Sequence, residues 1–255
     1  MRIATWNVNS VRARLPLVEA WLRREGPDVV LLQEIKCENA AFPALPFQGL
    51  GYHASVVGQK SYNGVAILSR HPLEESRTSL PGNDADNQAR YVEARVQGIR
   101  IASLYVPNGN PIDSDKYPAK LDWLDRLKAH AATLLKTEEP LVFGGDFNVI
   151  PAPLDVDEPA AWEKDALYAP PTRAAFRRLT ALGLTDAFRA LHPTERAYTF
   201  WDYQQGAWPK NKGLRIDHFL LSPEAADRLV ACDVDRAPRA EEKASDHTPL
   251  VMSLT

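Results

Sequence analysis

Val29-Val30-Leu31-Leu32 is the stretch that most narrows what this chain can fold into. Consecutive aliphatic residues with no polar alternate make a strand covered on both faces, as in the sheet of an α/β protein. Ahead of it Val11, Leu15, Val18 and Leu22 recur at three- and four-residue steps, which predicts a helix from about Val11 to Arg24, stopped by Gly26-Pro27. Residues 2–8 read as a strand before that helix. The unit is strand–helix–strand. If its strands lie side by side, Asn7 and Asn9 at the end of the first share one sheet edge with Glu34 at the end of the second.

Further strands are predicted at His53–Val57 and Gly64–Ser69, around a Lys60-Ser61-Tyr62-Asn63-Gly64 turn, and at Arg90–Val96 and Arg100–Val106, around Gln97-Gly98. A strand from Leu141 runs into Gly144-Gly145-Asp146-Phe147-Asn148. The segments Ala197–Tyr203 and Ile216–Ser222, and the apolar run after Pro249, complete the strand set. Leucine stripes predict helices at Ala119–Lys136 and Thr172–Leu182. Residues 72–89 read as polar loop. Residues 151–171, with five prolines and five acids, read as a long loop of the kind that serves function or moves.

A length of 255 residues allows one or two domains and suits a single α/β domain, and the 45% hydrophobic and 25% charged shares belong to a soluble globular protein. Cys37 and Cys232 form no CxxC pair, which excludes a disulfide scaffold and a thiolate zinc site. No apolar run has the length of a membrane span and no charged-then-apolar leader opens the chain, so the expected setting is reducing and cytoplasmic. The net charge of −3 advertises no polyanion partner, so a nucleic-acid enzyme of this composition needs a local basic surface or metal ions.

Chemistry-bearing residues gather at the strand ends. Asp146 and Asn148 stand two apart in extended chain and face one side, a proton acceptor beside a neutral hydrogen-bonding group, which suits activation of a water. A Gly-Asp-x-Asn sequence is equally a turn, and Glu34 is equally a solvated strand end. Tyr105 is either a rim aromatic or a phenol aimed into a site. Asp217 opens one strand, and Asp246-His247 precedes the last. Each alone is ordinary, but strand ends of a packed sheet converge on one rim. Several carboxylates with one imidazole and no thiolate favour Mg²⁺ or Mn²⁺ over zinc, and such ions serve phosphoester hydrolysis.

Trp6-Asn7-Val8-Asn9, Leu32-Gln33-Glu34-Ile35-Lys36, Tyr62-Asn63-Gly64-Val65-Ala66, Gly145-Asp146-Phe147-Asn148, Leu214-Arg215-Ile216-Asp217 and Ser245-Asp246-His247 occur in the order seen in exonuclease III-type AP endonucleases. Across essentially the whole chain the sequence resembles that family, part of the endonuclease/exonuclease/phosphatase superfamily. The resemblance implies a single domain over residues 1–255, a DNase I-like four-layer α/β sandwich of two packed mixed sheets flanked by helices. It implies a monomeric, Mg²⁺-dependent DNA repair enzyme that incises duplex DNA 5′ to abasic sites, trims 3′ ends, or both.

By the same resemblance Glu34 is the principal metal ligand, with Asn9 and Asp246 near the ion. Asp146 activates or orients the attacking water, helped by Asn148, with a tyrosinate or the histidine as other candidates for the base. His247, held by Asp217, stabilises the phosphoryl oxygens, and Asn7 and Tyr105 complete the pocket. The DNA contacts it suggests are Lys60, Arg90, Asn108, Lys120, Lys210, Lys212 and Arg215, with Phe200, Trp201 and Leu214 as wedge or pocket lining; solvated surface charge is the plain alternative for each cation. Lys120 falls at the start of its predicted helix, where the dipole disfavours a cation, so its reason lies outside the helix. Within the superfamily the same site serves non-DNA phosphatases. A non-catalytic nucleic-acid-binding regulator on this fold is expected to have lost the metal and water-activating residues, which are all present here.

Overall fold

The computed structural model describes residues 1–255. β1 (Arg2–Asn7) leads through residues 8–14 into α1 (Leu15–Glu25), and β2 (Val29–Gln33) returns beside β1 in parallel. The helix starts later than its apolar spacing predicts. The amides of Ser10 and Val11 instead bond the carbonyls of Glu34 and Ile35, tying this segment to the exit of β2. After α2 (Ala44–Gly49) come β3 (His53–Val57) and β4 (Val65–Ser69), an antiparallel pair as expected.

β5 (Glu74–Arg77) occupies a stretch expected to be loop; it is a short, exposed, charged edge strand, a form that discourages pairing with other chains. β6 (Tyr91–Val96) and β7 (Ile99–Tyr105) form the next hairpin, and α3 (Lys116–Leu134) carries the chain to β8 (Leu141–Asp146), parallel to β7. Residues 151–171 contain two short 3₁₀ turns, Pro153–Asp155 and Pro159–Trp162, before α4 (Pro170–Thr180), which opens on the two prolines that suit a first helical turn. Then follow β9 (Thr185–Asp186), α5 (Ala187–Leu191), β10 (Asp217–Leu221), α6 (Pro223–Ala226), β11 (Leu229–Val234) and β12 (Leu250–Leu254).

The aromatic segment Ala197–Tyr203 is not a strand. Phe200 makes only isolated bridges, to Leu214 and to His247. The segment ties the residues leading into β10 to those leading into β12, so each of its neighbours takes too few of its backbone groups to extend a ladder.

Two mixed six-stranded sheets result, ordered β11-β12-β1-β2-β4-β3 and β5-β6-β7-β8-β10-β9. Ile3, Leu31 and Ile67 of the first pack against Val92, Ile101, Val142 and Phe219 of the second. On the outer face of the first sheet, Trp6, Val30 and Leu32 meet Val18, Trp21 and Leu22 of α1. On the outer face of the second, Leu104, Phe143 and Leu220 meet Trp123, Leu124 and Leu127 of α3 and Phe176 of α4. The architecture is a four-layer α/β sandwich. Burying each such large apolar side chain contributes about 1.5–3 kcal/mol.

Side-chain alternation turns these layers into a scaffold for a site. Along the faces between the sheets, Ile3, Leu31, Ile101 and Val142 are followed two residues on by Thr5, Gln33, Ser103 and Gly144. Thr5, Gln33 and Ser103 form a buried polar ladder: Thr5 Oγ1 donates to Gln33 Oε1 (3.2 Å), and Gln33 Nε2 to Ser103 Oγ (3.0 Å). At Gly144 a Cβ would lie 2.6 Å from both Leu31 Cδ1 and the Phe219 ring, so only glycine lets the sheets close here. Two residues further on, Asn7, Tyr105 and Asp146 reach the open end.

Candidate active site

Strand register sets the first tier of the site. Tyr105 pairs with Asp146 and Asp146 with Asp217, so three adjacent strands bring their chemistry to one level. Gly145 makes the close approach possible, since a Cβ there would fall 2.0 Å from Leu104 O. Opposite, Asn7 spends both amide hydrogens on carboxylates: Nδ2 donates to Glu34 Oε1 (2.9 Å) and, across the gap between the sheets, to Asp146 Oδ2 (3.0 Å). Asn7 therefore ties two acids together and has no donor left for a ligand, a correction to the expectation that it binds substrate.

Glu34 and Asn148 lie just past their strands with left-handed backbones, φ 49 at each, a conformation common for asparagine and costly for glutamate. The Glu34 turn is held by the amides of Ser10 and Ile35, through Glu34 O and Gly64 O respectively. Burial pushes the Glu34 carboxyl up, but the Asn7 amide and the Lys36 ammonium outweigh it and hold the group below its ordinary range.

His247 precedes β12, with its Nδ1 2.8 Å from Asp217 Oδ2 and its Nε2 3.7 Å from Asp146 Oδ2. The first distance is a hydrogen bond; the second is too long for one, which leaves the Nε2 N–H for an incoming oxygen. Burial works against the imidazolium, yet the Asp217 and Asp146 carboxylates outweigh it and keep the ring protonated far above its usual range. Burial and the Asp217 charge raise Asp146, against the opposing pull of the His247 cation and the Asn148 amide, which donates to Asp146 Oδ1 (2.9 Å). The result is a fixed cation beside a carboxyl of unusual basicity, the arrangement a water-activating group needs. The Tyr105 phenol points at Glu34, and burial together with the Glu34 and Asp146 charges raises it well above its ordinary value.

Two places can take a cation. Asp146, Asp217 and His247 each bring one ligand atom within 4.8 Å of the others, and Asp217 Oδ1 is buried without a hydrogen-bond partner. At the more open side, the Lys36 ammonium lies 2.9 Å from Glu34 Oε2 and 2.5 Å from Asn9 Oδ1, so both oxygens face a common cation position, and Asn9 Nδ2 donates to Asp246 Oδ1 (3.1 Å). This oxygen donor set fits a hard divalent ion such as Mg²⁺. The second place suits an ion better, because the Asp217–His247 bond already commits one side of the first.

A family model, described as the Endonuclease/Exonuclease/phosphatase family, matches residues 4–247. The chain belongs to that family. Exodeoxyribonuclease III from Haemophilus influenzae is 33% identical over 262 residues, covering 98% of both chains. An AP endonuclease structure from Archaeoglobus fulgidus is 40% identical with a TM-score of 0.96, and a 3′ phosphatase structure from Neisseria, bound to a product DNA hairpin, is 39% identical with a TM-score of 0.97. Each covers 100% of this chain and 99% of its own.

The family's structural neighbours share the four-layer sandwich, and the structure brings together Asn7, Asn9, Glu34, Tyr105, Asp146, Asn148, Asp217, Asp246 and His247 from six separated stretches. The proposed DNA contacts divide. Lys60 and Asn108 are exposed, and Asn108 Nδ2 donates to Asn148 Oδ1 (3.3 Å). Lys210 is exposed, and its ammonium donates to Gln205 O (2.8 Å). Lys212 is exposed and paired with Glu158 at 2.6 Å. Arg90 stacks its guanidinium 4.7 Å over the Tyr105 ring, supporting the phenol.

Phe200 meets the His247 ring edge-on at 5.0 Å, and with Leu214 it lines a groove of about 360 Å³ bounded by Asp157, Glu158, Trp162 and Asp202. Three of the proposed contacts are corrected. Lys120, Trp201 and Arg215 are fully buried. Trp201 donates to Asn211 Oδ1 (3.2 Å), inside a cluster with Tyr198 and Trp208. Arg215 is held by Asp155 (2.7 Å) and Asp186 (2.8 Å), where it anchors loop 151–171 to the start of β10. No helix is long and apolar enough to cross a membrane.

Sequence reading passed over several groups at the site. Lys36 stands two residues from Glu34, and that spacing was the available signal. Ser245, whose hydroxyl donates to Asn7 O (2.7 Å), sits inside the Ser-Asp-His triplet. Tyr203 and Arg14, joined at 3.2 Å beside Asn9, come from distant segments and carry no sequence signal for their meeting.

Proposed function

We propose that this chain is a divalent-cation-dependent DNA repair phosphodiesterase that hydrolyses duplex DNA beside abasic sites or at 3′ ends. The observation that carries this reading is the buried His247 cation, fixed by Asp217, facing Asp146 across 3.7 Å. The names of the relatives, an exodeoxyribonuclease, an AP endonuclease and a 3′ phosphatase bound to product DNA, support DNA as the substrate.

In this reading a phosphodiester lies over the opening between Asp146, His247 and Tyr105. Asp146 takes the proton of the attacking water, and the Asn148 carboxamide orients that water. The His247 Nε2 N–H and the Tyr105 hydroxyl donate to the phosphoryl oxygens as charge builds on them. Asn7 keeps Asp146 and Glu34 at a fixed separation. Glu34, with Asn9 and Asp246, would hold Mg²⁺ or Mn²⁺, which when bound offsets phosphoryl charge and lowers the pKa of a bound water.

The groove beside His247 favours 3′-end processing over incision within a strand. Trp162, Phe200 and Leu214 give it apolar walls of a size for one nucleoside, while Asp157 and Asp202 oppose a further phosphate and Glu158 is paired with Lys212. A strand end needs no phosphate beyond such a groove, and the 3′ phosphatase among the structural neighbours supports a 3′ terminus as that end.

The test is one incubation with two duplexes, one holding an internal abasic analogue and one with a labelled 3′ end, with Mg²⁺ or EDTA. Cleavage with Mg²⁺ and none with EDTA is expected, with the 3′ end the better substrate. Cleavage that survives EDTA contradicts the metal assignment, and no cleavage of either duplex contradicts DNA as the substrate.

A further inference from the structure

Lys120 occupies a position where α3 should present an aliphatic side chain. It falls on the buried stripe of that helix with Tyr117, Trp123, Leu124, Leu127 and Ala131, and its own exposure is 0%. Its stem runs under Gly109, where a Cβ would lie 2.7 Å from Lys120 Cδ, so that glycine is required for the lysine to pass. The ammonium ends on two backbone carbonyls, Asn108 O (2.9 Å) and Asn148 O (2.5 Å), and forms no ion pair with a carboxylate. Burial drives its pKa down to about 7, against the pull of Asp146 and Asp165. A buried ammonium satisfied by neutral carbonyls is an expensive way to fill a core position, since a leucine or methionine would pack there without desolvating a charge.

What the lysine holds explains its presence. β7 and β8 are parallel neighbours, and their pairing continues past the strands through Val106 N to Asp146 O (2.9 Å) and Asn148 Nδ2 to Val106 O (2.9 Å). Beyond that point the chains separate. Neither Asn108 O nor Asn148 O accepts a backbone N–H, and Lys120 supplies the missing rung to both. Asn148 in turn donates its amide to Asp146 Oδ1 and receives the Asn108 side chain.

We infer that Lys120 is a positioning residue for phosphodiester hydrolysis: its ammonium clamps the loops after β7 and β8, and through Asn148 it fixes the Asp146 carboxylate against the reacting centre. The inference rests on the hydrolytic function proposed above. It sets Lys120 apart from a DNA contact, which would act on binding, and from a packing residue, which would act on stability alone.

The experiment compares wild type, K120M and K120Q by thermal melting, by affinity for a duplex with a recessed 3′ end, and by single-turnover cleavage with Mg²⁺. K120M is expected to fold, to bind the duplex within about three-fold of wild type, and to cleave it about 10–100-fold more slowly. K120Q, which keeps one donor, should recover part of that loss. Cleavage by K120M near the wild-type rate overturns the inference, as does a loss confined to affinity. If K120M does not fold, K120Q carries the same comparison. A wild-type protein that cleaves no duplex would overturn the hydrolytic reading and this inference together; a wild type that cleaves while the K120 variants match it would overturn this inference alone.

Discussion

Asp146 and His247 are held in opposite charge states by the same burial. The histidine has two carboxylates within reach and keeps its proton, while Asp146 shares its surroundings with Asp217 and is driven toward protonation. Swapping the roles, with the imidazole as base, would require stripping a proton from a group that two carboxylates stabilise. Glu34 differs from both: the Asn7 amide and Lys36 keep it ionised, as a ligand for a cation should be. Glu34→Gln should therefore leave duplex affinity intact and raise the Mg²⁺ concentration for half-maximal cleavage by at least the ~10–100-fold that loss of an outer metal partner costs. A Mg²⁺ titration of cleavage rate checks this, and an unchanged midpoint would move the ion to the Asp146–Asp217–His247 group.

Loop 151–171 is an anchored element. Asp155, fully buried, accepts from Arg215 Nε (2.7 Å) and Arg189 Nη2 (2.5 Å), and Ile150, Val156, Leu167 and Tyr168 pack with Leu214 and Ile216 into a small core of their own. Asp155→Asn should leave the buried Arg215 guanidinium and the half-buried Arg189 guanidinium short of charge and cost about 3 kcal/mol of stability, read as a lowered urea midpoint. The acids Asp157 of this loop and Asp202 of segment 197–203, which border the groove, have a separate role. Asp157→Asn with Asp202→Asn should shift the ratio of internal abasic incision to 3′-end cleavage upward, by roughly five-fold per carboxylate if each opposes a phosphate by about 1 kcal/mol. Competition between the two duplexes measures that ratio.

Across the whole molecule, burial also sets the acid limit of stability. His218, fully buried beside Asp217, accepts from Arg215 at Nδ1 (3.0 Å), so its proton sits on Nε2, which donates to Val149 O (2.9 Å). Burial and the neighbouring guanidinium lower its pKa to about 4, against an ordinary imidazole value of 6.5. Between those values the unfolded chain binds more protons, so stability is lost as pH falls from 6.5 toward 4, by about 2 kcal/mol at pH 5. Denaturant melts at pH 7.5 and 5 should show that loss in wild type and a flatter limb in His218→Gln.

The alternation and strand-end polarity of the chain made the strand set and the convergence of its polar strand ends legible, because both follow from local periodicity, whereas the two-sheet sandwich was legible only through the resemblance to exonuclease III-type AP endonucleases. What stayed hidden depends on depth and on the partner. Lys120, Trp201 and Arg215 look like surface cations and an aromatic wedge in the sequence, yet each is consumed by contacts that only the fold creates. Asn7 could not be seen to spend both its donors on Glu34 and Asp146. β5 and the bridging segment 197–203 differ from the pattern of their residues because edge position and crossing geometry leave no periodic trace.

The central claim is that Asp146 removes the water's proton. Single-turnover cleavage by Asp146→Asn, with Mg²⁺ and saturating duplex, should be about 10²–10⁴-fold slower than wild type while the melting curve and duplex affinity stay unchanged. A variant that cleaves within a few-fold of the wild-type rate would contradict the account.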